Sequence, residues 1–237
     1  MPSTPRILAL DTATQACSLA LFASGELRRR HEMLARAHNR HILHMLSEVL
    51  QGDALADSVD VIACGIGPGS FTGLRVAVSV AQGLAWSQRL PVHGFCSLTA
   101  QIYVAGEQGL LAVGDAVLST IDAQIGKLYG LWGVWNGREV TLGGPPFICA
   151  PEEIPVPDGA VNAVIVGSGA AYRRQFMAPR LRDAALHGEI TPDAGVMAPL
   201  LASGAIALDL QPAHLLCPQY VQRDIGWKKL SEQSRND

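Results

Sequence analysis

A chain of 237 residues fits one large domain or two modest lobes, and it is long enough to bury a sizeable core. Lys+Arg 18 against Asp+Glu 21 gives a net charge of −3, which excludes the chain-wide basic excess of an autonomous nucleic-acid binder, so any RNA contact has to be local or shared. Only 16% of residues are charged and 49% are hydrophobic, a balance that points to a surface partly covered by a partner.

Apolar alternation predicts a strand at Arg6–Asp11 and another at Cys17–Phe22, with Cys17, Leu19 and Leu21 on one face. Ser24-Gly25 turns the chain into a third strand at Glu26–Met33. Ile42, Met45, Leu46, Val49 and Leu50 then recur at helical spacing over His38–Leu50, which stops at Gly52. Val59–Gly65 reads as a fourth strand, Gly67–Ser70 as a turn, Phe71–Gln88 as a helix and Pro91–Phe95 as a fifth strand. This βββαβαβ order is that of a ribonuclease H-like lobe, one mixed sheet with helices packed on it. From about Leu110 a similar pattern begins again, with strands at Ala116–Asp122 and Lys127–Trp135. The five prolines between Gly143 and Gly159 predict an irregular connection, and Val161–Val166 a further strand before a loop at Gly167-Ser168-Gly169. Thr191-Pro192 is expected to start a helix running towards Leu208 with a kink at Pro199. The expected division is residues 1–105 and 106–237, two mixed α/β lobes, the second ending in a polar tail.

No apolar run reaches the roughly 18 residues of a membrane span. Ile7–Leu10 is cut by Asp11, Thr12, Thr14 and Gln15 and has no cationic leader, so the chain is expected in the cytoplasm. Cys17, Cys64, Cys96, Cys149 and Cys217 are scattered and lack any Cys-x-x-Cys, which suits reduced thiols.

Several constellations bear on chemistry. Gly65-Ile66-Gly67-Pro68-Gly69-Ser70-Phe71-Thr72-Gly73 sits between a strand and a helix, where backbone N–H groups can hold an anion, but it lacks the Lys-Ser/Thr of a nucleotide loop. An architectural turn with Ser70 as helix cap is the alternative, with Gly69 expected at positive φ. Asp11-Thr12-Ala13-Thr14 ends the first strand, where actin-like ATPases place an Asp-x-Gly loop beneath phosphates; the methyl of Ala13 hinders that approach and favours a structural or inter-lobe role. Asp122 echoes Asp11 in the second lobe. His38, His41 and His44 do not share a helix face, so no metal is expected. Arg28, Arg29, Arg30, Arg36 and Arg40 make a basic segment that suits a solvated face or an RNA or acidic contact. In Phe71–Gln88, Gly73, Ala77, Ala81 and Ala85 form a small-residue ridge, while Arg75, Ser79 and Gln82 form a narrow polar stripe. The ridge lets a second helix approach, either His38–Leu50 of the same chain or one from a partner.

Ile7–Thr14 with Ala16-Cys17-Ser18, the Gly65–Arg75 block, Ala81-Gln82-Gly83-Leu84-Ala85, Ile121-Asp122-Ala123 and Trp227-Lys228-Lys229-Leu230 together resemble the TsaB (YeaZ) family. The resemblance implies a bacterial protein of the actin-like ATPase superfamily, the non-catalytic partner of the related transferase TsaD. With TsaE they transfer threonylcarbamoyl to the adenosine beside the anticodon of tRNAs that read codons starting with adenine. With the small-residue ridge, the resemblance points to partner contacts through the two helices, at His38, His41, Met45, Gly73, Ala77, Ala81 and Ala85; the spacing of the loops themselves leaves an anion or interface loop at Asp11, Thr12, Gly67, Gly69 and Ser70 as a candidate. TsaD, TsaE, tRNA through the complex and a second copy of the chain are the expected partners. No cofactor is expected on the chain alone, with ATP only at a composite interface. TsaD's metal-binding His-x-x-x-His is absent, and Gln124 and Lys127 stand where relatives often carry Arg and Glu. The competing reading is an ATPase or small-molecule kinase of the same superfamily.

Overall fold

A computed structural model describes residues 4–34, 37–160 and 162–221. Arg36, Val161 and the Trp227–Leu230 motif used above lie outside the described residues. The first lobe contains β1 (Ile7–Asp11), β2 (Ala16–Ala23), β3 (Glu26–Met33), α1 (His38–Leu50), the short α2 (Leu55–Ser58), β4 (Val61–Gly67), α3 (Phe71–Gln88), β5 (Val92–Cys96) and α4 (Ser97–Glu107). Its strands lie in the order β3-β2-β1-β4-β5, antiparallel across β1–β3 and parallel from β1 through β4 to β5. This is the ribonuclease H-like arrangement expected from the strand and helix sequence.

Both faces of this sheet are covered, which explains why its central strands are apolar throughout. Leu8 and Leu10 of β1 point into a core shared with Ile42, Met45 and Val49 of α1 and with Ala77, Ala81 and Ala85 of α3. Ile7 and Ala9, one residue out of phase, point the other way, towards α4 and the last long helix. Strand β3 is the exception: its Leu-Arg-Arg-Arg run lies at the sheet edge and is mostly exposed.

The second lobe contains β6 (Ala116–Asp122), β7 (Leu128–Trp135), β8 (Val140–Leu142), β9 (Phe147–Cys149), β10 (Ala163–Val166), α5 (Pro179–Arg182), β11 (Ala185–His187) and α6 (Ala194–Ala202). Its main path, β8-β7-β6-β10-β11, repeats the 3-2-1-4-5 order and the same pattern of antiparallel and parallel pairs. The Pro-rich connection is less irregular than expected, because Phe147–Cys149 pairs with β7 and Pro151–Glu153 makes one 3-10 turn.

Helix α6 corrects another expectation. It is capped by Asp193, whose carboxylate accepts the Gly195 N–H at 2.7 Å, and it ends at Ala202, well before Leu208. It crosses back to pack on β1 and β2 of the first sheet. Residues 209–221 follow as a strap over the first lobe. Val92 and Gln211 form an isolated bridge, Ala213 and Leu216 are buried against α3 and β5, and the Gln82 side chain donates to the Leu216 carbonyl at 3.0 Å. The 105/106 division thus falls inside α4, and α6 and the strap, both from beyond it, pack on the first lobe.

Candidate functional site

The Asp11 loop and the turn after β4 meet at the carboxyl ends of adjacent strands. The Asp11 carboxylate, only 1% exposed, accepts the Ala13 N–H at 2.7 Å and the Ser97 hydroxyl of α4 at 2.6 Å. Burial raises its pKa to about 6, against the opposing effect of those two donors. Thr12 donates to the Gly73 carbonyl at 2.7 Å, and the Ser70 N–H donates to the Ala13 carbonyl at 2.7 Å. The loop is therefore stapled directly to the first turn of α3.

The glycines permit this closure. A Cβ at Gly65 would overlap the Asp11 carboxylate, and one at Gly69 would overlap the Ala13 carbonyl. Positive φ belongs to Gly67 (φ 111), not to Gly69 as expected. Ser70 caps α3 as predicted, its Oγ accepting from the Gly73 N–H at 3.3 Å. Of the proposed anion or interface residues, Asp11, Thr12, Gly67 and Gly69 are buried inside the chain and only Ser70 reaches the surface.

The small-residue ridge also faces inwards. Ala77, Ala81 and Ala85 are fully buried against Leu8, Leu10, Ile62 and Cys64, and a Cβ at Gly73 would overlap the Thr12 carbonyl. The ridge brings α3 close to its own sheet, so Gly73, Ala77, Ala81 and Ala85 are not a partner surface. Met45 is likewise in the core. His41 is exposed; His38 is half-buried with Nε2 enclosed and without a hydrogen-bond partner among the described residues, and burial lowers its pKa. Among the described residues no group of three His, Cys, Asp or Glu side chains can hold a metal ion.

An outer face remains. Helices α1 and α3 lie on the same side of the sheet, and their solvent side presents Leu43, 60% exposed, and Trp86, 72% exposed. Val76 and Val80 of α3 are half-buried, and Gly83 has open space above it. Sequence reasoning chose the wrong side of α3, although the signal was available: Trp86 falls on the Arg75–Ser79–Gln82 stripe, where a solvated helix has no use for a large apolar side chain.

The basic segment is mostly spent within the chain. Arg28 pairs with Asp53 at 2.7 Å, Arg30 with Glu48 at 3.0 Å, and Arg29 lies 3.8 Å from Asp193; Arg40 is exposed. Asp193 also accepts from Ser18 at 3.0 Å and faces His31 at 3.6 Å. Burial opposes its charge, but the His31 ring, the Gly195 N–H and Ser18 together hold its pKa below the ordinary value. This cluster fastens the start of α6 to β2 and β3. In the second lobe, Asp122 accepts from the Tyr172 hydroxyl at 2.9 Å and from the Gln124 N–H at 2.7 Å, while Gln124 and Lys127 stand exposed on the β6–β7 turn.

The TsaD family model, tRNA N6-adenosine threonylcarbamoyltransferase, matches residues 31–132. A tRNA threonylcarbamoyladenosine biosynthesis protein TsaB from Haemophilus influenzae is 35% identical over 94% of this chain and 96% of its own length. The TsaB protein of Escherichia coli is 39% identical over 56% of this chain and 60% of its own. Among solved structures, YeaZ from Pseudomonas aeruginosa superposes with a TM-score of 0.79 at 32% identity, covering 91% of this chain and 99% of that one. A Pseudomonas aeruginosa protein described as similar to the peptidase YeaZ gives 0.82 at 32% identity, over 92% and 100%.

Proposed function

The chain belongs to the TsaB (YeaZ) family of tRNA threonylcarbamoyladenosine biosynthesis, and from that premise we propose that it is the non-catalytic subunit that binds and activates TsaD. The reaction served is transfer of threonylcarbamoyl to the adenosine beside the anticodon, in tRNAs that read codons starting with adenine, with TsaE as a further partner in the cytoplasm. The observation that carries this reading is the outer face of α1 and α3, where Leu43 and Trp86 are exposed above two well-packed helices. Large exposed apolar side chains on a rigid layer are the usual anchors of a protein interface.

The match of the TsaD family model to residues 31–132, which span both helices, supports a partner of related fold. Such a partner meets this face in a pseudo-twofold arrangement, and a second copy of the chain covers it when TsaD is absent. TsaD's active arrangement is then favoured by the binding energy that only the docked state gains. The ATPase or kinase reading needs Asp11 to reach a metal–nucleotide complex. Its burial and its bonds to Ala13 and Ser97 speak for a structural carboxylate instead.

The test is reconstitution of tRNA modification with TsaD, TsaE and the enzyme forming threonylcarbamoyl-adenylate. Omitting the chain should abolish modification, and Trp86→Glu or Leu43→Glu should abolish co-elution with TsaD while circular dichroism stays unchanged. Modification independent of the chain would overturn the reading.

A further inference from the structure

Phe71, the first residue of α3, and Tyr220, near the end of the strap, are each 44% exposed, although large aromatic rings are usually buried. Their ring centroids lie 5.3 Å apart, tilted by 34°. The Arg75 guanidinium lies 3.8 Å over the Phe71 ring, and its Nε donates to the Tyr220 hydroxyl at 3.3 Å. The strap holds Tyr220 there: the Gln219 N–H donates to the Ile66 carbonyl at 2.7 Å.

The electrostatic setting is unusual for a chain of negative net charge. No Asp or Glu occurs between Asp60 and Glu107, or between Asp209 and Val221, the two stretches that supply this cluster. Arg6, Arg28, Arg29 and Arg30 all have carboxylate partners, whereas Arg75 has none among the described residues. Trp86, on the proposed docking face, lies fifteen residues beyond Phe71 along α3, about 22 Å at 1.5 Å per residue.

We propose that Phe71, Arg75 and Tyr220 form a stacking platform for an unpaired RNA base. A planar guanidinium already layered on an aromatic ring offers its outer face to a further π-system, as Tyr220 offers its ring edge and hydroxyl. The two stretches that supply the cluster add no carboxylate of their own to repel the adjoining phosphates, and stacking on aromatic and Arg planes is how unpaired bases are held. The proposal rests on the reading above that the chain works in a tRNA-bound complex with TsaD.

The test uses the full chain assembled with TsaD and, as probe, an anticodon stem–loop RNA with 2-aminopurine in its loop. Phe71→Ala and Tyr220→Ala should each weaken RNA binding at least about five-fold and restore 2-aminopurine fluorescence, with gel filtration showing an intact complex. Phe71→Trp should retain the quenching, and Arg75→Gln should lower the salt dependence of binding. Unchanged RNA affinity in the Phe71/Tyr220 double variant would overturn the platform. So would loss of complex assembly before RNA is added, which would make the cluster a protein contact. If the wild-type chain forms no complex with TsaD, the docking reading fails on its own, and binding of the same RNA by the chain alone, with the same variants, decides the platform.

Discussion

Replacing Asp11 by Asn tests whether the carboxylate is a structural group held at a cost. In the unfolded chain Asp11 releases its proton near the ordinary 3.8, in the folded chain only near about 6, because burial disfavours the charge. Between those pH values the folded state keeps a proton that the unfolded state has lost, so this group lowers stability as pH rises and its full cost is present above about pH 6. The gap from 3.8 to about 6 corresponds to about 3 kcal/mol at 1.36 kcal/mol per pH unit. An Asn side chain can accept the Ala13 N–H through its oxygen and meet Ser97 through its amide, so the geometry survives while the charge does not. Urea unfolding of both proteins from pH 4 to pH 7.5 reads the difference. Asp11→Asn should gain on wild type as pH rises, by up to about 3 kcal/mol in total; the depressed pKa values of His38 and His93 are common to both proteins and cancel. A stability difference that stays constant across that range, or an Asn variant that loses ground at pH 7.5, would refute the argument.

Two glycine substitutions should move in opposite directions in thermal unfolding. Gly69→Ala pushes a Cβ into the Ala13 backbone and should cost about 1–3 kcal/mol, whereas Gly83→Ala meets open space in mid-helix and should stabilise by about 0.5–1 kcal/mol. Ala77→Glu, aimed at a fully buried position, should yield unfolded or aggregated chain rather than a folded monomer that has lost its partner; a soluble, native-like circular dichroism spectrum would contradict the packing. His93 Nδ1 accepts the Asp209 N–H at 3.0 Å, so His93→Ala should leave that donor without its partner and speed amide exchange at Asp209 and Gln211, with little change in β1.

The first lobe was largely legible because its elements are locally encoded. β3, α1 and α3 fall on the predicted residues, since the Ser24-Gly25 turn, a 3.6-residue apolar stripe and a Ser cap with flanking glycines each mark boundaries within a few positions. Helix α4 was missed because Ser97–Ala105 is buried almost all round and carries no amphipathic stripe to read. Helix α6 was overextended because Pro192 and Pro199 drew the eye, whereas the start is fixed by the Asp193 cap and the end by Gly204 at φ 76. The strap was invisible: its placement depends on His93, Gln82 and Ile66, more than a hundred residues away. The site was half legible. Ser70 was rightly read as the cap of α3, but a small-residue ridge fits equally well against a neighbouring helix and against one's own sheet. Only the sheet's position decides between them.

The repeated strand order explains why the closure of the first lobe lies in pairs of residues rather than in single ones. In both sheets the end of the fourth strand in this order, or the turn after it, meets the Asp that ends the central one: Gly65 lies against the Asp11 carboxylate, the Ser168 hydroxyl accepts the Asp122 N–H at 2.9 Å, and the nearby Gly67 and Gly167 both have positive φ, 111 and 88. In the second lobe the turn leads into a 3-10 segment, and Asp122 is only half-buried beneath the Tyr172 hydroxyl. In the first it leads into an 18-residue helix whose first turn sits on the Asp11 loop. That contact needs a small residue on each side: Ala13 is fully buried, and a Cβ at Gly69 would come 2.7 Å from its methyl. Replacing Ala13 by Gly removes one methyl but leaves the Ser70 N–H on the residue 13 carbonyl and Thr12 on the Gly73 carbonyl. The loop therefore stays shut after a single change towards an ATPase-like sequence, and reopening it requires α3 itself to move off the sheet, against the whole buried row of Leu74, Ala77, Ala81 and Ala85.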